Sequence, residues 1–106
     1  MPAPVPEVEN DVAGSRFVIR KGSETAELTY SIAGSQIILR HTEVPKVLRG
    51  SGLAGTLAHA GLEHARSNKL SVIPVCPFVI AYLTRHPEYQ DLVKGQFVGG
   101  TEPDDG

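Results

Sequence analysis

A glycine-rich segment, Arg49-Gly50-Ser51-Gly52-Leu53-Ala54-Gly55, carries the clearest chemical signal in the sequence. It lies between an apolar run typical of a strand and a longer apolar pattern with helical spacing. Because glycine has no Cβ, backbone N–H groups in this segment can approach a ligand closely. The first turn of the following helix leaves N–H donors free and carries partial positive charge. The segment therefore predicts an anion site, best suited to a phosphate or pyrophosphate, with Arg49 as a second, charged contact.

Two well-known phosphate loops do not account for this segment. The string Gly50-x-Gly52-x-x-Gly55 satisfies the dinucleotide fingerprint, but no acidic residue follows on a second strand after about 20 residues. The chain is also too short for a doubly wound sheet. A nucleoside-triphosphate loop needs Lys and Ser or Thr directly after its last glycine, whereas Thr56 and Leu57 follow Gly55. A glycine-rich helix entry without any ligand remains the alternative.

Three side chains could act on a reacting group: Cys76, His41 and Glu43. Cys76 ends an apolar strand directly before a helix, and a helix N-terminus favours the thiolate form of a cysteine. The alternative for Cys76 is a small buried hydrophobic residue. His41 and Glu43 are two residues apart on a strand and therefore share a face. Either could accept a proton, Glu43 through water, and either could instead be a structural or solvated strand residue.

Length and composition limit the class of protein. A chain of 106 residues predicts one domain, and 41% hydrophobic residues with a mean hydropathy of −0.09 are typical of a soluble globular fold. No apolar run reaches the roughly 20 residues of a membrane span, and the N-terminus does not resemble a signal peptide. With one cysteine no internal disulfide forms, so we expect a reducing, cytoplasmic location. The net charge of −2 gives no reason to expect nucleic acid, and no His or Cys spacing indicates a metal site.

The elements that position these residues follow from periodicity. The sequence predicts a disordered arm over residues 1–13, a domain over 14–93 and a flexible tail over 94–106. Within the domain, three short strands form an antiparallel meander and lead into a strand–helix–strand crossover that places the glycine segment at the carboxyl end of a strand. The predicted strands cover residues 16–20, 25–32, 36–44 and 70–76, and the first helix covers 51–67.

The ends of the two helices carry recognisable signals. Asn68 is predicted as a left-handed cap of the first helix. Pro77 begins the second helix at the position that proline prefers, and His86-Pro87 ends it. Tyr89 and Leu92-Val93 are expected to pack back on the domain. The fold class is therefore α/β, or more strictly α+β.

Three segments in this order and spacing resemble one family, the small GCN5-related N-acetyltransferase-like proteins that include minimal N-acetyltransferase-domain proteins of plants and animals. The segments are His41-Thr42-Glu43-Val44-Pro45, Leu48-Arg49-Gly50-x-Gly52-Leu53-Ala54, and Val72-Ile73-Pro74-x-Cys76-Pro77-Phe78-Val79-x-Ala81-Tyr82-Leu83 followed by Arg85-His86-Pro87-Glu88-Tyr89. The resemblance extends from about residue 17 to residue 93. It implies a reduced acetyltransferase fold that keeps the sheet, the acetyl-CoA loop and its helix, and lacks the helices that enclose the acceptor in larger relatives.

The resemblance also implies where acetyl-CoA would lie. Backbone groups of Thr42 to Val44 would pair with the pantetheine arm. The pyrophosphate would be held beside Arg49 by Gly50, Ser51, Gly52, Leu53 and Ala54. The two strands that end near Val44 and Cys76 would splay around the thioester, and Cys76 would accept the acetyl group or hydrogen-bond the CoA sulfur. Tyr82 and nearby residues of the last helix would flank the cofactor. Tyr82 is about one residue out of phase with the tyrosine that larger relatives use as an acid, and its alternative role is packing alone.

The implied function is acetyl transfer from acetyl-CoA to an unidentified amine, either a small molecule or a protein. Three alternatives remain open: a non-catalytic CoA- or acyl-CoA-binding module, a thiol-dependent enzyme centred on Cys76 without CoA, and a structural α/β domain. An uncovered strand edge is compatible with a monomer or a weak homodimer. His59 and His64 are expected at the surface of the first helix.

Overall fold

A computed structural model of the chain describes residues 7–93. It contains one five-stranded sheet in the order β1-β2-β3-β4-β5, in which β4 and β5 are parallel and the other neighbours are antiparallel. The strands are β1 (Glu9–Asp11), β2 (Arg16–Lys21), β3 (Glu24–Ala33), β4 (Gln36–Glu43) and β5 (Ser71–Pro74), and the helices are α1 (Leu53–Ser67) and α2 (Pro77–Arg85). Two 3₁₀ helices cover Lys46–Leu48 and Pro87–Leu92. The predicted α+β fold, with its meander and crossover, is confirmed.

The core lies between the sheet and α1. Alternation along β3 points Ala26, Leu28 and Tyr30 toward the helix, where all three are buried. Helix α1 can approach this face closely because Gly61 has no side chain: a Cβ there would lie 3.3 Å from a methyl carbon of Leu28. This packing fixes the position of α1, and therefore of the glycine segment before it.

The polar N-terminal segment is more ordered than the sequence predicts. Residues 9–11 belonged to the predicted disordered arm, yet they form β1 and pair with β2. The order comes from polar contacts together with the half-buried side chain of Val8, which directly precedes β1 and packs against the core. Arg16 binds Asp11 at 2.9 Å, and the Tyr30 hydroxyl donates to the Asn10 side chain at 2.7 Å. Residues 1–6 of the arm and the predicted tail, 94–106, lie outside the described residues.

Helix α1 differs from its prediction at both ends. It begins at Leu53 rather than near residue 51, because Gly52 adopts a left-handed backbone with φ 78° and cannot be part of the helix. At the other end Asn68 is not left-handed, since its φ is −105°, whereas Lys69 has φ 56°. Asn68 instead caps the helix with its side chain, which donates to the His64 carbonyl oxygen at 2.9 Å.

The ending of α2 and the packing beyond it follow the prediction. Pro77 occupies the first turn of α2, and the helix stops at Arg85, directly before His86-Pro87. Tyr89 is buried in the core, and Leu92 and Val93 pack against it.

A β-bulge and a separation of strands distinguish the end of β4. Leu39 pairs with Tyr30 and His41 pairs with Thr29, so Arg40 is the extra residue of a bulge. Strand β5 accompanies β4 only as far as Leu39, whose carbonyl oxygen accepts the N–H groups of both Val75 and Cys76, at 2.9 and 3.0 Å. The edge of β4 from residue 40 onward therefore faces a gap rather than a strand.

Candidate functional site

The beginning of α1 presents a row of free backbone donors. Within residues 7–93, no hydrogen bond uses the backbone N–H of any residue from Gly50 to Gly55 as its donor. No side chain caps the helix, and its first turn contains no acidic residue. Gly50 and Gly52 have positive φ, and no atom lies within 4 Å of the place where a Cβ would be. Free N–H groups, a helix N-terminus and open space together suit a bound anion.

Two neighbouring residues shape this cradle. Arg49 Nε donates to the carbonyl oxygen of Val44 at 3.1 Å, which anchors the end of β4 to the loop. Its guanidinium is exposed and keeps further N–H donors for an anion. The Ser51 hydroxyl donates to the carbonyl oxygen of Leu48 at 2.6 Å and so stabilises the turn that aims the following N–H groups outward.

A groove connects the cradle with the end of β4. One part, of about 220 Å³, runs along the start of α1, and a shallower recess of about 400 Å³ lies beside β4. Both parts are lined by Val44, Arg49, Ala54 and Phe78, so they form one continuous surface. Leu48, Gly50, Gly52, Leu53 and Gly55 line the first part, and His41, Thr42 and Glu43 line the second.

Phe78 is a groove residue that the sequence reasoning missed. It lies in the first turn of α2, is 38% exposed and contributes to both parts of the groove. The available signal was a large apolar side chain two residues after Cys76, at a helix start that faces the glycine segment. Such a side chain more often packs in the core as part of the apolar face of a helix, so this signal is weak by itself.

Tyr82, one turn further along α2, does not line this groove. Its ring stacks on His86 with centroids 4.0 Å apart, and its edge lies against Gly55, where a Cβ would be 3.9 Å away. Burial raises the pKa of Tyr82, and the nearby carboxylates of Glu88 and Glu63 raise it further. The phenol therefore keeps its proton at neutral pH.

Cys76 lies at the inner end of the gap between β4 and β5. It is 2% exposed and immediately precedes α2, but its side chain does not cap that helix. Its sulfur lies 3.1 Å from the hydroxyl oxygen of Thr42. The Thr42 side chain thus crosses the gap beyond the last backbone contact at Leu39.

His41 and Glu43 lie together on the opposite face of the sheet. Their side chains are in contact at 2.9 Å, from His41 Nε2 to Glu43 Oε1, as expected for residues on one strand face. They are 63% and 61% exposed. The bulge at Arg40 is the reason for this separation: without the extra residue, both side chains would share the buried face of Leu39.

The two histidines of α1 are surface and boundary residues. His59 is exposed and lies 3.0 Å from the hydroxyl of Tyr89, and His64 packs edge-on against Phe17. In the part of the chain from residue 7 to 93, no group of three or more His, Cys, Asp or Glu side chains could hold a metal ion. In the same part, neither helix has the length and apolar character needed to cross a membrane.

Comparison with known proteins identifies the family. A family model described as GCN5-related N-acetyl-transferase matches residues 16–92. The chain belongs to the GCN5-related N-acetyltransferase family. The matched region contains the cradle, the groove, the bulged strand and the gap, so the family assignment covers the whole site.

Individual relatives support the assignment over most of their length. Protein NATD1 of Homo sapiens is 34% identical over 92 residues, which cover 84% of this chain and 81% of the relative. Protein NATD1 of Gallus gallus is 34% identical over 89 residues, covering 81% of both. A GCN5-like protein of Staphylococcus aureus, solved by NMR in solution, superposes with a TM-score of 0.66 and 32% identity, covering 85% of this chain and 89% of that one. The resemblance to a small acetyltransferase-like family is therefore confirmed.

Proposed function

We propose that this protein binds acetyl-CoA and transfers its acetyl group to an amine. The observation that carries the proposal is the juxtaposition of the free N–H groups of Gly50–Gly55 with the unpaired edge of β4, joined by one groove. One feature matches a pyrophosphate and the other an extended arm with amide groups. Acetyl-CoA contains both, and its thioester is consumed as a substrate.

The cradle provides the pyrophosphate contacts. N–H groups of Gly50, Gly52, Leu53 and Ala54 donate to the phosphate oxygens, and the helix dipole favours the negative charge. Ser51 and Arg49 complete this end of the site, Arg49 by a charge-assisted hydrogen bond from its free guanidinium N–H groups.

The pantetheine arm extends along β4 as an additional strand would. Beyond Leu39 the edge of β4 that faced β5 has no strand partner within residues 7–93, so the backbone groups of Thr42 and the N–H of Val44 are available to the amides of the arm, while Arg49 already binds the Val44 carbonyl oxygen. Phe78 and the side chain of Val44 provide the apolar walls against which the methylene groups pack. With the arm in this position, the thioester at its end lies at the gap between β4 and β5, away from the cradle.

Acetyl transfer forms a C–N bond and breaks the C–S bond of the thioester. The attacking nitrogen loses a proton and the departing sulfur gains one. His41 and Glu43 lie on the open face of the sheet, where an amine can approach. We assign to them the removal of the proton from the attacking nitrogen. Cys76 lies on the other side of the gap, buried behind Thr42, and we assign it the supply of the proton that the departing sulfur gains.

A second candidate function is CoA or acyl-CoA binding without catalysis. The exposure of His41 and Glu43, at 63% and 61%, favours it, because nothing within residues 7–93 covers this face and excludes water from the reaction. In that case the same groove binds the nucleotide, and the open face of the sheet recruits another protein.

The first test is a titration of the ¹⁵N-labelled protein with acetyl-CoA and, separately, with desulfo-CoA. We expect both ligands to shift the amide resonances of residues 42–54 and 76–82. Gly22 and Gly34, which lie in hairpin turns and also have positive φ, are the internal controls and should not respond. An absence of shifts at millimolar concentrations of either ligand would refute the binding site.

The second test distinguishes the two functions. The protein is incubated with acetyl-CoA and a panel of small amines and lysine peptides, and both free CoA and acetylated amine are measured. Equal amounts of the two products support acetyl transfer. Binding without either product supports the non-catalytic module instead.

A further inference from the structure

The Thr42 side chain lies between the groove and the only cysteine of the chain. Thr42 lines the recess beside β4, whereas Cys76 lines neither part of the groove and is 2% exposed. The hydroxyl oxygen and the sulfur are 3.1 Å apart, and either atom can be the donor. The sulfur is therefore reached from the groove past the Thr42 hydroxyl.

The local fold determines this arrangement. Without the bulge at Arg40, residue 42 would point to the open face; with it, Thr42 stands opposite Leu28 on the buried face. The strands separate after Leu39, so the Thr42–Cys76 hydrogen bond crosses the gap between them. Cys76 does not use its side chain to cap α2, and within residues 7–93 Thr42 is its one polar side-chain partner. The orientation of the thiol thus depends on Thr42.

We propose that the Thr42 hydroxyl is the group through which Cys76 acts on the thioester. This inference rests on the proposed acetyl transfer and assigns Thr42 a side-chain role beyond its backbone contact with the pantetheine arm. As the C–S bond breaks, its electron pair remains on the CoA sulfur, and the Thr42 O–H gives that sulfur a proton. The Cys76 S–H replaces the proton on Thr42. After the product leaves, the buried Cys76 thiolate regains a proton from solvent through the Thr42 hydroxyl.

The test compares Thr42→Val with Thr42→Ser. Valine keeps the shape of threonine without the hydroxyl, and serine keeps the hydroxyl. We expect Thr42→Val to lower kcat by about 100-fold, the lower range for removal of a proton donor, with little change in KM for acetyl-CoA. Thr42→Ser should restore most of kcat. A change in packing alone would not produce this order, because serine alters the packing more than valine does.

A double variant tests whether the two residues act as one unit. If Cys76 acts through Thr42, Thr42→Val combined with Cys76→Ala should be no slower than the slower single variant. Multiplied losses, or equal rates for Thr42→Val and the native protein, would overturn the inference while leaving acetyl transfer intact. An equally slow Thr42→Ser would also overturn it.

Two controls keep these outcomes separate from failure of the proposed function. The amide spectrum and the acetyl-CoA titration of each variant report folding and binding independently of turnover. Should the native protein bind acetyl-CoA and acetylate no amine, the acetyltransferase proposal and this inference would both be wrong. A loss confined to kcat in a folded, ligand-binding Thr42→Val variant supports the inference.

Discussion

The two ends of helix α1 are built in opposite ways. At its C-terminal end, backbone and side-chain groups are extensively paired: Asn68 donates to His64, and Leu70 N–H donates to the Ala65 carbonyl oxygen at 2.8 Å. Arg66 donates to the Glu88 carbonyl oxygen at 2.8 Å and binds Asp91 at 3.2 Å. At the N-terminal end, no side chain caps the helix, and the N–H groups from residue 50 to 55 have no partner within residues 7–93.

The two ends of α1 therefore have different roles: the C-terminal end contributes to stability, and the N-terminal end is available for binding. The C-terminal end fastens the 3₁₀ helix Pro87–Leu92 to α1 and completes the core. The N-terminal end has Gly52 as its N-cap and so lacks a side-chain hydrogen bond, which costs a few tenths of a kcal/mol relative to a Ser, Thr, Asp or Asn cap. A helix that forgoes this stabilisation at a glycine-lined groove keeps its donors for a ligand. Substitutions at the first end should therefore change folding, and those at the second end should change binding.

The largest effect is expected for Gly52→Asp. A carboxylate placed at the cradle repels a pyrophosphate by about 3 kcal/mol at a separation near 5 Å and an effective dielectric constant of 20. We therefore expect acetyl-CoA affinity to fall by roughly 100-fold in a calorimetric or NMR titration. Stability should change little, because a negative charge at a helix N-terminus offsets part of the strain of a left-handed aspartate.

Gly22→Asp is the matched control for this substitution. Gly22 also has a positive φ, 61°, and open space around its Cβ position, but it lies in the β2–β3 turn. The strain and the added charge are thus similar, while acetyl-CoA affinity should remain native. Equal losses of affinity in both variants would show that the charge acts on the whole protein rather than on the cradle.

A pair of arginine substitutions compares the two ends directly. Arg49→Ala should weaken acetyl-CoA binding by about 10-fold, since hydrogen bonds to charged groups contribute about 1.5–3 kcal/mol, and should leave stability nearly unchanged. Arg66→Ala should leave affinity unchanged and lower the free energy of unfolding by up to about 1 kcal/mol, as expected for a partly exposed ion pair. Urea unfolding and ligand titration of both variants measure the four quantities. The comparison fails if Arg66→Ala weakens binding as much as Arg49→Ala does.

The smallest effect is expected for Tyr89→Phe. The buried Tyr89 hydroxyl contacts His59 at 3.0 Å and donates to Glu63, so its removal should cost about 1 kcal/mol of stability without affecting acetyl-CoA affinity. Burial raises the pKa of Tyr89 above its ordinary value, and the hydrogen bond to Glu63 raises it further. The folded protein then holds this proton more tightly than the unfolded chain, so the stabilisation is present below about pH 10 and is lost as the pH rises.

The pH dependence gives this last prediction a separate measurement. The free energy of unfolding of the native protein should decrease between about pH 8 and pH 11 by more than that of Tyr89→Phe. Tyr82, whose pKa is also raised by burial, is present in both proteins, so the effect of its own titration on stability is common to both profiles. Parallel pH profiles for the two proteins would contradict the role given to the Tyr89 hydroxyl.

The sequence allowed much of the fold to be predicted. Alternation over residues 25–32 indicated β3, and Pro77 and His86-Pro87 marked the limits of α2, because these signals depend on local periodicity and backbone restriction. Strand β1 was missed, since Glu9-Asn10-Asp11 has no apolar pattern and is ordered through Arg16, Arg20 and Tyr30. Such polar partners are distant in the sequence, and no local rule connects them.

The sequence by itself indicated an anion site at the glycine segment before α1, because glycines directly before a helix N-terminus leave N–H groups accessible, whereas the left-handed backbone of Gly52 and the helix start at Leu53 were evident only in the structure. It also determined that His41 and Glu43 share one face, since side chains on a strand alternate. Only the tertiary structure decided which face that is, because one extra residue at Arg40 reverses the orientation of everything after it. The contact between Thr42 and Cys76 also depends on the tertiary structure. It joins residues 34 positions apart, which meet because β4 and β5 pair as far as Leu39 and then leave a gap that the two side chains share.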